Sequence, residues 1–496
     1  MPGTNVEKAC SFDDLSIPPD VLSIIPHHIA YENFVLPIKI EASGCLLVLM
    51  AYPHDADSLQ IVQFLTGTTM HPVSAPKDMV LRLITKHYGN LASKNAQEKM
   101  PLYKQDRLIF GQSKSTIQVV NDIIQEAVRL GASDIHYEPF EREMLIRFRV
   151  DGVLQEMMTI PKDRVAEIAS RIKIMSHLDI AEKRRSQDGR IRISENGRNV
   201  DIRTSTMPTD FGEKIVLRIL DKDNSDYNLD SIGMEPSKLA VFKKAVQMPN
   251  GIVLLTGPTG SGKTTTLYGV INYIKKPDIN ISTIEDPIEY NIPGVNQTQT
   301  NVHTGMTFAH SLRTLLRQDP DIIMVGEMRD KDTAEIAIRA SLTGHLVLST
   351  LHTNDAPAAI TRLIDMGIEP YLVSSSITLI AAQRLVRKIC KNCKCEDMIP
   401  DEIRTAIGLP PGVVVYKGLG CSSCGYTGYR GRTGLFEVMP ITDTIRQLIN
   451  RKAFSAEIRS HALRDGMADL RSSALSKLVD GITSLEEITR EAAVIA

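Results

Sequence analysis

Gly257-Pro258-Thr259-Gly260-Ser261-Gly262-Lys263-Thr264 places glycines, a lysine and a hydroxyl in the order that a phosphate-cradling loop requires. The glycines let backbone N–H groups approach phosphate oxygens, the lysine reaches the β- and γ-phosphates, and the hydroxyl suits Mg²⁺. Ahead of the loop, Ile252, Val253, Leu254 and Leu255 read as a buried parallel strand. Behind it, Thr265 to Ile274 read as a helix whose N-terminus adds positive dipole. That context separates an ATP loop from a chance glycine turn.

Acidic residues stand at the ends of two further strands. Ile281 to Glu289 (ISTIEDPIE) brings Glu285 and Asp286 to the end of a short strand, and Pro287 stops further pairing there. Asp321-Ile-Ile-Met-Val-Gly-Glu327 is an apolar strand closed by an acid, the form that holds Mg²⁺ directly or through water, which makes Glu327 the metal-side acid. Solvated loop carboxylates or helix caps are the plainer readings of both. A third apolar strand, between His345 and His352, carries His352 to the same sheet edge, where it is placed to hydrogen-bond a γ-phosphate or a neighbouring subunit.

Cys390-Lys-Asn-Cys393 and Cys421-Ser-Ser-Cys424 have the spacing of two knuckles that together hold tetrahedral Zn²⁺. The intervening 27 residues, 394 to 420, exceed a minimal zinc ribbon, and Cys395 is an alternative ligand to Cys393. Four thiolates would leave no open position, so the expected role is structural.

The elements that carry these residues divide the chain. Residues 1–92 alternate helical and strand-like stretches, including Leu46 to Met50 and Lys77 to Tyr88, as a small α/β module; 93–112 has linker composition. From 113 to 222 a second α/β domain is expected, opening on a helix (Ile117, Val120, Ile124, Ala127, Val128) that Gly131 stops. Its strands alternate, with Met144, Ile146, Phe148 and Val150 opposite Arg147 and Arg149. The P-loop core is expected at 233–388, a zinc-binding insert at 389–432 and a helical region at 433–496. The fold class is multidomain α/β: a RecA-like P-loop domain preceded by a PAS-like α/β domain, with a zinc-binding insert and C-terminal helices.

With 57 basic and 59 acidic side chains in 496 residues, no global field advertises nucleic acid or an acidic membrane. The cysteine knuckles also lack interleaved aromatics, so no nucleic-acid partner is expected. The N-terminus lacks the order of a signal peptide, and the apolar runs fall short of the ~18 to 20 residues that span a bilayer. Seven cysteines without a regular framework suit a reducing cytosol. Membrane contact is therefore expected to be indirect.

These stretches, in this order, together with Leu178-Asp-Ile-Ala-Glu-Lys-Arg184 and Gln187-Asp-Gly-Arg-Ile191, resemble the type II secretion and type IV pilus assembly ATPases over about residues 113 to 490. The resemblance implies cytoplasmic homohexameric rings, peripheral to the inner membrane, with two RecA-related lobes per subunit that couple ATP hydrolysis to assembly of a pilus or pseudopilus. A membrane platform protein and a docking subunit are the implied partners. It also implies that Glu285 is the base that orients the attacking water and that Arg203 and Arg218, with Arg190 a weaker candidate, come from the preceding domain to stabilise transition-state charge. The family's N-terminal module is matched more weakly, through Ile25-Pro26 and Leu36-Pro37-Ile38. The stretch before Ile17 is short for the repeat that binds a cyclic dinucleotide in some members, so docking is the expected role.

Overall fold

The computed structural model describes residues 17–25, 30, 34–41, 45–53, 70–92, 115–195, 198–221, 227–410 and 412–492. The chain forms two compact units, Met1–Leu108 and Ile109–Ala496. The expected linker, 93–112, lies wholly outside the described residues, as does the stretch before Ile17.

In the first unit, helix α1 (Pro19–Ile24) precedes strands β1 (Val35–Ile40), β2 (Leu46–Met50) and β3 (Met70–Ser74), and helix α2 (Lys77–Ala92) closes it. β1 runs antiparallel to β2 and β3 parallel to it. Ile25 and Leu36 are fully buried, and the Tyr88 hydroxyl donates to the carbonyls of Leu22 and Ile25, tying α2 to the end of α1.

The second unit opens on α3 (Thr116–Arg129), begun by a capping box in which Ser115 and Gln118 satisfy each other's backbone N–H groups. Gly131 ends it at φ +67°. Val120, Ile124 and Ala127 face the core as expected, whereas Ile117 is 52% exposed, because in the first turn the buried stripe begins at Val119. Strands β4 (Ala132–Pro139), β5 (Glu143–Val150), β6 (Val153–Pro161), β7 (Gln187–Glu195), β8 (Arg198–Thr209) and β9 (Gly212–Asp221) form an antiparallel sheet of order β6-β5-β4-β9-β8-β7, with α4 (Val165–Met175) between β6 and β7. Met144, Ile146 and Phe148 are buried on one face. On the other, register sets Arg190 opposite Arg203, Arg203 opposite Arg218, Arg218 opposite Asp134 and Asp134 opposite Arg149.

After α5 (Pro236–Val246) comes the core that holds the P-loop. Its strands β10 (Gly251–Thr256), β11 (Ile281–Glu285), β12 (Asn296–Gln299), β13 (Ile322–Val325), β14 (Leu346–Leu351) and β15 (Ile377–Ile389) are all parallel, in the order β12-β11-β13-β14-β10-β15. Helices α6 (Lys263–Ile274), α7 (Phe308–Leu315), α8 (Lys331–Leu342), α9 (Ala356–Asp365) and α10 (Pro370–Ser376) make the connections. Both faces are covered, so every residue of β10 is buried and its run is apolar up to Thr256.

Beyond β15 the chain forms β16 (Lys394–Asp397), α11 (Asp401–Ile407) and β17 (Val415–Gly418), then returns as β18 (Tyr429–Pro440), antiparallel to β15 at the sheet edge. The expected boundary at residue 432 falls inside β18, so residues 433–440 belong to the sheet. Helices α12 (Asp443–Asn450), α13 (Ser455–Arg464), α14 (Leu470–Val479) and α15 (Leu485–Ala492) follow. The cysteine-bearing segment is thus the connection between two paired strands. Ile389 lies opposite Tyr429, which is why cysteine pairs far apart in sequence meet.

Candidate nucleotide site and cysteine cluster

The loop after β10 turns on Gly257, Gly260 and Gly262, all at positive φ. At Gly257 a side chain is also barred sterically, since a Cβ would stand 2.4 Å from the Gln383 carbonyl and 2.7 Å from the Ser261 hydroxyl. Lys263, the first residue of α6, is buried, and its ammonium donates to the carbonyls of Gly257 (2.8 Å) and Pro258 (2.9 Å). Burial pushes its pKa down to about 8; the charge of Arg384 acts the same way and that of Glu327 opposes it. Ser261 Oγ is buried without a protein partner among the described residues, while Thr264 and Thr265 are exposed at the helix start. A lysine short of counter-charge, an unmet hydroxyl and open helix N–H groups suit a phosphate chain.

β13 ends at Val325 and carries Glu327 two residues further, where its carboxylate accepts from Arg329 (2.6 Å) and lies 3.2 Å from Nε2 of His352, which follows β14 directly. The two strands are paired neighbours, so the acid and the histidine share one sheet edge. The loop behind His352 is fixed residue by residue. Thr353 bonds Thr256, the Asn354 side chain accepts from the buried Arg384, Asp355 pairs with Arg459, and Ala356 N–H donates to the buried carboxylate of Glu437.

Glu285 is the last residue of β11 and is buried. Its Oε1 accepts from Thr283 (2.6 Å) and Gln297 (3.0 Å), and its Oε2 from the Tyr268 hydroxyl on α6. Of the arginines, Arg203 donates to the Ile288 carbonyl (2.8 Å), three residues past Glu285. With Arg190 and Arg192 it lines a cleft of about 240 Å³ closed on the other side by Ile288–Asn291 and Gln299. Arg218 is held by Asp134 at 3.0 Å and stands outside that cleft. The strand ends therefore bring Lys263, Glu327 and His352 together, and Arg203 to the acidic loop, while Arg218 is paired elsewhere.

Sequence reasoning missed Tyr268, Thr283, Gln297 and Arg384. Arg384 had a readable signal: a charge next to Gln383 inside the apolar run from Ile377 to Val386 needs a buried partner.

The Sγ atoms of Cys390, Cys393, Cys421 and Cys424 all lie within 4.8 Å of one another. Three of their separations are 3.8 Å, far beyond a disulfide and equal to the edge of a tetrahedron with metal–sulfur bonds of ~2.3 Å. Backbone N–H groups of Gly420, Cys421 and Gly428 point at Cys393 and Cys424 sulfurs, as thiolates at a metal need. Cys395 sits on β16 outside the cluster. These residues fit a structural zinc ion.

A parallel sheet covered on both faces, with a glycine loop and lysine after one strand and an acid and a histidine after two others, defines a P-loop nucleotide-binding protein of RecA-like form. The family model for type II/IV secretion system proteins matches residues 111–490, and the chain belongs to that family. The model of the MshEN domain matches residues 8–94. The chain is 42% identical to the type IV pilus assembly ATPase PilB of Myxococcus xanthus over 97% of its length and 88% of that protein. It is 43% identical to type II secretion system protein E of Aeromonas hydrophila, covering 97% and 99%. The X-ray structure of the Legionella pneumophila ATPase DotB shares the fold, with TM-score 0.58 at 22% identity over 77% of this chain and 97% of that one.

Proposed function

We propose that the protein is a motor ATPase that hydrolyses ATP to drive assembly of a type IV pilus or type II secretion pseudopilus. The observation that carries this reading is the meeting of Lys263, Glu327 and His352 at one sheet edge. Lys263 and the loop N–H groups grip the phosphates, and Glu285 accepts the proton of the attacking water. Thr264 and Glu327 would hold Mg²⁺, which when bound would supply positive charge against that of the phosphates. His352 reports the γ-phosphate to the Glu327 carboxylate that it touches. Arg203 and Arg218 release their present partners to meet transition-state charge; an arginine so placed is worth about 10³ to 10⁵ in rate.

The working form is a cytoplasmic homohexamer at the inner membrane that acts on a platform protein, with the N-terminal unit docked to a membrane-associated subunit. No described helix is long and apolar enough to cross a membrane, which favours attachment through partners. Zinc in the four-cysteine cluster pins the two ends of the β15–β18 connection. Purified protein is expected to carry about one zinc per chain by elemental analysis, and Cys421→Ser to lose it; clean protein with well under one equivalent would defeat the assignment.

Arg203→Ala is expected to lower assembled-state turnover at least about 10³-fold. If the arginine acts across subunits, mixing this variant with Lys263→Ala restores some turnover, because mixed rings contain intact composite sites. Mixtures no more active than either parent would count against action in trans.

A further inference from the structure

We propose that Tyr268, with Thr283 and Gln297, is a positioning residue for the Glu285 carboxylate, leaving a single oxygen lone pair for the attacking water. The inference rests on the reading of Glu285 as the base.

An ionised carboxylate offers about four acceptor sites. At Glu285, Oε1 has both of its sites taken, by Thr283 Oγ1 at 2.6 Å and Gln297 Nε2 at 3.0 Å. Oε2 takes the Tyr268 hydroxyl, so among the described residues one site on Oε2 is open. The donors are themselves fixed. Gln297 also donates to the Tyr290 carbonyl (2.9 Å) and accepts from the Ile292 N–H (2.6 Å), so its amide cannot turn over. Thr283 stands two residues back on the same strand and faces the same side.

The Tyr268 ring is fully buried and packs edge-on to Tyr227 (5.5 Å) and Tyr290 (6.5 Å), and its hydroxyl oxygen accepts from the Glu289 N–H (3.4 Å). Burial, reinforced by the hydrogen bond to Glu285, pushes the phenol pKa up, so it stays a donor at every working pH. Tyr268 also lies on the helix that begins at Lys263, roughly 7.5 Å further along its axis. One rigid helix therefore sets both the phosphate clamp and the direction in which the base can accept a proton, and tilting it misaims the carboxylate without moving β11. Geometric control of this kind acts on the chemical step rather than on substrate capture.

Steady-state ATP turnover by full-length Tyr268→Phe tests this, since phenylalanine keeps the ring packing and removes only the hydroxyl. The expected result is kcat lower by about 10- to 100-fold with KM for ATP within about two-fold of the parent, and a melting point lowered but still a single cooperative transition, because a buried hydrogen bond to a carboxylate is lost. Thr283→Val, which removes a donor from Oε1 at constant shape, should split kcat from KM the same way and serves if Tyr268→Phe does not fold. Glu285→Gln is run beside them. If it loses turnover while Tyr268→Phe and Thr283→Val keep kcat within about two-fold, or raise KM in step with any loss, the positioning role is overturned. Parent turnover in Glu285→Gln would instead remove the base assignment, and the positioning role with it.

Discussion

Lys263→Ala is expected to reduce ATP turnover to less than about 1% of the parent, the scale on which loss of a preorganised phosphate donor acts. The side chain is buried, and among the described residues its ammonium is satisfied only by the carbonyls of Gly257 and Pro258. Two neutral acceptors do little to offset the desolvation that pulls its pKa down to about 8. A phosphate chain supplies counter-charge beyond the partial offset from Glu327, so much of the lysine's interaction is realised only with nucleotide bound and grows as charge builds on the γ-phosphoryl. Alanine removes that term and leaves the loop's shape to its glycines. The folded state should be little affected, because no structural ion pair is broken. Phosphate release and a melting curve measured on one preparation separate the cases: turnover above about a tenth of the parent with an intact fold would mean that Lys263 does not grip the reacting phosphate.

How much of this site could be read from sequence depends on how far each residue's signal reaches. The P-loop is local: strand, turn and helix N-terminus are consecutive, so composition and order suffice. Glu327 and His352 are also legible, because each ends a short apolar run and parallel strands put such ends on one edge. Arg203 and Arg218 read as strand residues, but that they stand side by side, with Asp134 opposite Arg218, depends on a strand register that alternation alone does not specify. The meeting of the cysteine pairs follows from β18 joining the core sheet, a non-local pairing of a segment expected to belong partly to the insert and partly to the terminal helices. Tyr268 looks like one more apolar residue on a buried helix face and Gln297 like loop polarity. Only the fold shows that both end on a single carboxylate.

That convergence makes Glu285→Gln the sharpest test of the chemistry, with bound nucleotide retained and hydrolysis expected to fall about 10² to 10⁴-fold, the usual worth of a general base. Glutamine has one acceptor oxygen and one donor amide where the carboxylate has two acceptors. The fixed Gln297 amide and the Thr283 hydroxyl both donate to the Oε1 position, so the new oxygen must settle there. Its NH₂ then occupies the Oε2 position, and the Tyr268 hydroxyl, which can rotate, accepts from it. Shape and burial are preserved, so the phosphate grip has little reason to change, although turning the buried Tyr268 proton away from its acceptor costs some stability. The one acceptor position that no described residue fills now presents an N–H instead of a lone pair and cannot take a proton. Equilibrium binding of a fluorescent ATP analogue together with single-turnover phosphate release would measure both halves of this claim. Binding within about three-fold and release slowed as stated is the expected pair; release within about ten-fold of the parent would show that the proton leaves by another route.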